Sequence, residues 1–536
     1  MPKEKIIKFR LKVPAEIENY VLFELVRKPL VQIEAPIGKF EEINLEMEIK
    51  KINTLEKKLK DACEKLMIRN LQKANIDDAK LYLDPNRILS EINQVYERID
   101  EIYKKTVHYL DQIAISETKK VTTEFMSEYD KIAKEFYPIA CKIYTALEIL
   151  RKLVEIKRNI RRDGKFTVIE GWILKKNKKK LEKIVNEIRE SYTADVYIEF
   201  LEKIKDLELV PTKLAFPKAI SPFVSMIKSV GIPAAYEIDP TIIFWIFWVI
   251  MFGFMFPDFG QGLVVLVLAF YIRKKKEFLG FSGKKLSTLL IWCGIAAMVT
   301  GLIFGEIFMF EVPSVLNVIG PIIGLDIGLP EGWVKDPKYV ILMLKVSIFF
   351  GILQILLGLM FGTINNLRRG KYIEAVLSVR GLAGILLFIS LLMLGFAFLR
   401  GGFQLTTSTY LTIGMLGLSM LMIIILPFFE KEHTLSDAFG DLLEASISFV
   451  SNVLSYIRLA GFALAHLIFG AVLTEIWFGA FPLWLKLMMA GMFNFIGVTI
   501  EFLVVGIQAT RLGLYEFMTK FYEGTGRLFY PTVIHF

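Results

Sequence analysis

The chain has 536 residues, 54% of them hydrophobic and 23% charged, with a formal net charge of +9. A mean hydropathy of +0.47 excludes an ordinary soluble protein, and the charged and apolar residues separate along the chain. The positive surplus does not point to nucleic acid, because charges of both signs alternate along the helical stretches; basic loops beside membrane spans explain it.

The N-terminus, MPKEKIIKFRLKVP, lacks the apolar core of a signal peptide, so the first half of the chain is expected to stay cytoplasmic. Three distant cysteines, Cys63, Cys141 and Cys293, form neither a disulfide framework nor a metal motif, which fits a reducing compartment. KIIKFRLKV (5–13) alternates like a strand, AEIENYVLFELVRK is helical, and LVQIEAP is a second strand. Then the period changes. Leu45, Ile49, Ile52, Leu55, Leu59, Ala62 and Leu66 recur at helical spacing between Lys and Glu. Ile92, Val95, Ile99, Ile102 and Leu110 continue the pattern after Asp84-Pro85-Asn86, and Ile132, Phe136, Ile143 and Leu150 carry it through a further helix. No such helix buries its seam alone, so an antiparallel coiled-coil rod is expected, with a plain helical bundle as the alternative. FTVIEGWIL (166–174), a Lys-rich helix and DVYIEFLEK (195–203) read as a second β-α-β lobe. Residues 1–235 are thus expected to form a cytoplasmic arm of two small α/β lobes joined by the rod. The arm has no GxxxxGK[ST] loop for ATP.

Residues 236–536 read as an α-helical polytopic membrane domain. About eight spans of roughly 20 residues are expected, near 241–256, 260–272, 286–309, 339–363, 376–399, 408–428, 442–479 and 483–517. The first two are short and split by Pro257-Asp258-Phe259-Gly260, so a re-entrant hairpin is an alternative. The last two are long and are expected to tilt. Arg273, Lys274, Lys275, Lys276, Arg368, Arg369, Lys371 and Lys431 fall in one set of loops, against Lys335, Lys338, Arg400 and Lys486 in the other. The positive-inside rule then puts both termini in the cytoplasm. The loop from Glu311 to Lys338 reads as a packed cap or re-entrant turn.

Two of the spans carry polar stripes. On 442–479, Glu444, Ser448, Ser451, Ser455 and Arg458 follow three- and four-residue steps, with His466 beyond them. On 483–517 the stripe is Asn494, Glu501, Gln508, Arg511 and Tyr515. Facing helices would gather Arg458, His466, Glu501, Gln508 and Arg511 into one intramembrane cluster. A buried Arg458–Glu501 pair holding two helices together is the structural alternative. Ionisable groups inside a bilayer cost at least about 2.5 kcal/mol and mark ion routes. A one-sided polar track that stops at a permanent cation suits a barrier between two half-channels. Lys345 and Arg380 read as snorkelling or ion-paired residues.

SNVLSYIRLAGFALAH (451–466) resembles the segment around the essential arginine of subunit a of vacuolar-type ATPases, called subunit I in archaeal A-type ATP synthases. EGWILKKNKKKLEKIV (170–185), FPKAISPFVSMIKSVGIPAAYEIDPT (216–241) and RLGLYEFMTKFYEGTGRLFYP (511–531) resemble further segments of that family, in which this arm is short. The resemblance implies that Arg458 is the essential arginine, that His466 is the family's histidine, and that Glu501 and Arg511 are the acidic and basic pair of the last span. DFGQG (258–262) and FGEIF (304–308) resemble polar motifs of the early spans, where Asp258 and Glu306 are expected to act in packing. It further implies a stator subunit in a multi-pass prokaryotic or archaeal cell membrane, without a cofactor or metal of its own and not itself binding ATP. Its partners would be a rotating ring of proteolipid subunits with one carboxylate per site, peripheral-stalk subunits, a central-stalk socket and, indirectly, the catalytic sector. Arg458 would favour the ionised ring carboxylate by roughly one to three pKa units. Glu444, Ser448, Ser451, Ser455, Asn494 and Tyr515 would line the half-channels. A secondary transporter, which predicts inverted repeats, and a membrane scaffold are the competing readings.

Overall fold

In the computed structural model, which describes residues 4–36, 40–68, 70–110, 118–201, 207–214, 216–278, 280–315, 317, 333, 336–399, 407–430 and 434–533, the chain divides into two compact units. One holds Glu4–Asp206 together with the residues after Arg527; the other holds Leu207–Arg527. The break therefore lies upstream of the expected boundary at 235. Residues after 207 bond to the end of the membrane unit, as in the Thr212 N–H to Arg527 carbonyl bond of 2.7 Å.

The first unit contains β1 (Ile6–Pro14), α1 (Glu18–Arg27), β2 (Val31–Glu34), α2 (Leu45–Lys65), α3 (Pro85–Leu110), α4 (Thr118–Lys157), β3 (Phe166–Leu174), α5 (Lys178–Tyr192) and β4 (Tyr197–Leu201). The two expected lobes are one. β3 pairs antiparallel with β1 on one edge and with β2 on the other, and β4 pairs with β1. Each β-α-β segment leaves a gap one strand wide, and the other segment's strand fills it, as in a split βαβ lobe. A pair of strands alone is only marginally stable; interleaving gives one six-stranded sheet once Glu41–Glu42 and Arg161–Asp163 add their short pairings. The rod is an insertion in this lobe, between β2 and β3.

Central strand β3 is buried over all but its first residue. Glu170, fully buried on it, is neutralised by Lys8 Nζ and Arg10 Nε from β1, each at 2.5 Å. Beside it, Gly171 lets β2 approach; a Cβ there would lie 2.2 Å from the Gln32 carbonyl oxygen. The last described residues of the chain join the outer edge of β2, where the Thr532 N–H donates to the Val31 carbonyl at 2.8 Å and the Ile33 N–H to Thr532 Oγ1 at 3.0 Å.

Along the rod, α4 packs against both α2 and α3. Ile52, Leu55, Leu59, Ile92, Val95, Ile99, Ile132, Phe136, Ile143 and Leu150 meet in one buried core, as the spacing predicts, whereas Ile49 is exposed. The α2–α4 pairs Glu48–Lys157 and Glu56–Arg151 run in opposite senses along the two helices, so that contact is antiparallel. At about 1.5 Å per residue the 40 residues of α4 reach roughly 60 Å.

The second unit contains α6 (Thr241–Met255), α7 (Phe259–Arg273), α8 (Gly283–Phe304), α9 (Pro337–Arg369), α10 (Leu382–Leu399), α11 (Thr407–Phe429), α12 (Leu435–Ser455), α13 (Ile457–Phe478), α14 (Leu483–Ile496) and α15 (Phe502–Arg511). Among the described residues, six helical stretches are long and apolar enough to cross a membrane, with α12–α13 and the run Leu483–Lys520 counting as one each. This chain is a polytopic membrane protein. α6 and α7 have 15 residues each, about 22 Å of helix and short of a full hydrocarbon crossing. α7 and α8 meet through Gly262 and Gly294, where a Cβ on either would lie 2.8–2.9 Å from the other's carbonyl oxygen. Such small-residue contacts replace the hydrophobic drive that lipid removes. Lys335, Arg400, Lys431 and most of the loop between Glu311 and Lys338 lie outside the described residues.

Two outcomes test this packing. Gly171→Ala should cost about 1–3 kcal/mol through overpacking, seen as faster hydrogen exchange of the Val31–Glu34 amides; unchanged protection would contradict the close approach. Burial pushes the Cys63 thiol up to about 11. Since only the thiolate alkylates, labelling of folded Cys63 should be negligible at about pH 8 and rise roughly tenfold per pH unit toward that value.

Candidate functional site

The site is built on α12–α13 and the final helical run. α12 starts with a reciprocal cap: Thr434 Oγ1 accepts the Asp437 N–H at 3.2 Å, and Asp437 Oδ2 accepts the Thr434 N–H at 3.0 Å. The expected continuous helix is broken at Tyr456, whose N–H reaches back only three residues to the Val453 carbonyl, at 3.2 Å. Neither Pro nor Gly causes this. The Tyr456 ring is fully buried against Gly351 of α9, where a Cβ would lie 2.5 Å from it. The break places a tight turn two residues before Arg458, and such turns inside helices mark functional hinges.

The partner run carries π-helical turns at Gly497–Glu501 and Leu512–Phe517. Each widens the helix by one residue and rotates the residues after it, so the second stripe does not keep one face. Arg458 Nη1 donates to Gln508 Oε1 at 2.9 Å. His466 Nδ1 lies 3.0 Å from Glu501 Oε2. These are two rungs between antiparallel helices; His466 lies eight residues beyond Arg458, about 12 Å along the axis. Arg511 is exposed and joins neither rung through an ion pair or hydrogen bond among the described residues, but the buried Glu516 lies within electrostatic reach of both Arg511 and Arg458. The expected single cluster is therefore two pairs, with Arg511 set beside them.

The serine stripe also divides. Ser451, Ser455 and Arg458 line an open groove on the surface of the unit. Glu444, Ser448 and Tyr515 instead line a separate polar cavity of about 600 Å³ with Arg380, Lys520 and Glu523. Lys520, which the sequence reading missed, is buried there and donates from Nζ to Ser448 Oγ at 3.0 Å. Arg380 is ion-paired with Glu523 at 3.0 Å, and Lys345 is exposed.

His466 is fully buried and reaches a third helix, its Nε2 lying 3.7 Å from Asp258 Oδ2. Asp258 caps α7 through the Gln261 N–H at 2.9 Å and also accepts the N–H groups of Phe308 at 3.0 Å and Met309 at 2.6 Å. Phe308 and Met309 form the turn of a short hairpin, with φ of 52° and 59°. Left-handed backbone costs such residues roughly 1–2 kcal/mol each, which the Asp258 carboxylate offsets. Asn494 is tied to the same turn, donating from Nδ2 to the Phe308 carbonyl at 3.1 Å and accepting from Gln261 Nε2 at 3.1 Å. Among the described residues, no group of three His, Cys, Asp or Glu side chains is arranged to hold a metal ion.

Two segments far apart in sequence close this unit. The buried Glu237 carboxylate accepts the N–H groups of Ala234 and Glu523, each at 2.7 Å. Burial raises its pKa above the ordinary carboxylate range despite those donors. Asn365 Oδ1 accepts the Ile238 N–H at 2.8 Å and its Nδ2 donates to the Phe521 carbonyl at 2.9 Å.

A family model described as the V-type ATPase 116kDa subunit family matches residues 42–314, just over half of the chain. The chain is 25% identical to the A-type ATP synthase subunit I of Methanocaldococcus jannaschii over 83% of its own length and 67% of that protein's. It is 25% identical to the A-type ATP synthase subunit I of Aeropyrum pernix, over 75% and 62%, and 24% identical to that of Saccharolobus solfataricus, over 83% and 68%. It thus spans 62–68% of the length of these three relatives.

Proposed function

The chain belongs to the V-type ATPase 116kDa subunit family, and on that premise we propose that it is the stator membrane subunit of a rotary A/V-type ATPase. It couples proton or sodium translocation to ATP synthesis or hydrolysis through two half-channels separated by Arg458. The observation that carries this reading is the position of Arg458: half-buried, held by Gln508 at 2.9 Å, and bordering an open groove rather than locked to a carboxylate. A cation restrained by a neutral amide keeps its charge available to an acid that arrives from outside the chain. Ring carboxylates passing the groove are that acid. Each is driven to its ionised form by Arg458 and gives up its ion there.

The cavity lined by Glu444, Ser448 and Tyr515 serves as one half-channel. The His466–Glu501 rung serves the other. Eight membrane passes, with α6 and α7 taken as a pair, put both termini in the cytoplasm; a hairpin of α6 and α7 that re-enters without crossing gives the same parity. In the cytoplasm the rod and lobe bind peripheral-stalk subunits and hold the stator against torque, beside the central-stalk socket.

Arg458→Ala in the assembled complex should abolish coupled ion transport while ATP hydrolysis by the soluble sector continues. Retained coupled transport would remove the barrier role. Glu501→Gln should leave assembly intact and slow transport on the order of 10²-fold, measured in reconstituted vesicles. An unchanged rate would return Glu501 to helix packing.

A further inference from the structure

The chain passes between its two units twice, just before Leu207 and again just after Arg527. The second crossing is bonded on both sides. In the membrane unit the Glu237 carboxylate accepts the N–H groups of Glu523 at 2.7 Å and Gly524 at 3.3 Å. Gly526 donates its N–H to the Ile232 carbonyl at 2.8 Å, and the Arg527 carbonyl accepts the Thr212 N–H at 2.7 Å. A Cβ on Gly526 would lie 2.4 Å from the Pro233 carbonyl oxygen, so only glycine lets the segment run that close. In the arm, β2 pairs with β3 along one edge, and residues 530–532 take up the other. Tyr530 donates its N–H to Gln32 Oε1 at 2.9 Å, besides the two bonds that join Thr532 to Val31 and Ile33. That amide is held ready: Gln32 Nε2 donates to Glu34 Oε1 at 3.0 Å, and Glu34 Oε2 accepts from Trp172 Nε1 at 2.7 Å. Pro531, which has no N–H to give, fits an edge position. Phe529 is buried. An open strand edge is what other chains add to; here the chain fills it with its own segment.

We propose that residues 528–533 are a load-bearing strap. Docked on β2, they tie the arm to the membrane unit in parallel with the crossing before Leu207, and they keep the arm from swivelling when the stator is under torque. The proposal rests on the stator reading above. One backbone crossing alone leaves rotation about its φ and ψ bonds open. Thr212, a few residues past the first crossing, is bonded to Arg527, the last residue before the second, so the two chain segments are joined where they meet the membrane unit. Only Leu528 and Phe529 separate Arg527 from Tyr530, and an extended residue reaches at most about 3.6 Å. The strap therefore has little slack. Its hold on β2 is made of hydrogen bonds and the buried Phe529 ring, so added slack or a lost bond removes its restraint while the chain stays whole.

The test uses the assembled complex in vesicles. Ions transported per ATP hydrolysed are measured with and without an opposing ion gradient, and hydrogen exchange of the Ile33 amide is followed alongside. A Gly/Ser insertion of about ten residues between Leu528 and Phe529 adds slack without touching the docking residues. It should leave Ile33 exchange as slow as in the native chain, yet lower the ions moved per ATP severalfold against the gradient. Thr532→Pro removes the N–H given to Val31 and the hydroxyl that holds the Ile33 N–H. It should speed Ile33 exchange at least about tenfold and lower coupling to the same extent. Native coupling against the gradient in the insertion variant overturns the proposal, and so does native coupling in Thr532→Pro once Ile33 exchanges freely. Unchanged Ile33 exchange in Thr532→Pro overturns the docking itself. If one variant does not assemble, the other decides. Coupled transport surviving in Arg458→Ala would instead overturn the stator reading, on which the Ile33 exchange result does not depend.

Discussion

Everything in the membrane unit is arranged around one constraint: charged side chains placed among apolar helices must be satisfied without being neutralised. A buried ion pair would satisfy Arg458 and silence it. A glutamine at 2.9 Å satisfies one guanidinium nitrogen and leaves the charge intact. The same division appears one rung along, where His466 meets Glu501 on one nitrogen and faces Asp258 on the other. In each case the partner comes from a different helix, so the polar groups also fix how the helices sit.

Holding these rungs in register takes local structure that costs free energy. A helix interrupted at Tyr456, two π-helical turns and a left-handed Phe308-Met309 turn all lie within the polar part of the unit. Strain of this kind persists only where the surroundings over-determine it. Here the surroundings are identifiable: the Tyr456 ring in the notch at Gly351, and Asp258 accepting three backbone donors. The buried Glu237, bonded to the segment after Tyr522, ties the entry of the first helix to the exit of the last. Two sequence segments almost 300 residues apart are therefore one structural element.

The rod, the membrane half and the helices that carry the polar stripes were legible because helical periodicity survives in sequence, but the pairs were not: Arg458 meets Gln508 and not Glu501, which meets His466. Ile52 through Leu66 show an apolar seam whatever they pack against, and Arg458 among apolar residues announces a site. What escaped notice is non-periodic. A strand that pairs across more than 130 residues leaves no local sign, so β3 and β1 read as members of two lobes rather than neighbours in one sheet. A π-helical turn has no residue signature, and the two that interrupt the last run begin between Asn494 and Gln508 and between Arg511 and Tyr515, so the stripe is not the single face that a regular helix would form. Lys520 looked like one more lysine near the end of a span. Asp258 read as a packing residue of an early-span motif, and its cap on α7 and its grip on Phe308 and Met309 went unread, because the second depends on a turn that Asn-Gly, not Phe-Met, would signal.

The account's central claim is that the groove beside Arg458 faces a rotating ring. The direct measurement is disulfide cross-linking in the assembled complex, with a cysteine at Ser455 and another next to the carboxylate of the ring subunit. The native cysteines Cys63, Cys141 and Cys293 are buried, so background should be low. The account predicts a rapid cross-link from Ser455 that stops coupled turnover, and none from Val267, exposed on α7. A cross-link as fast from Val267 as from Ser455, or none from Ser455 in an active complex, would contradict it.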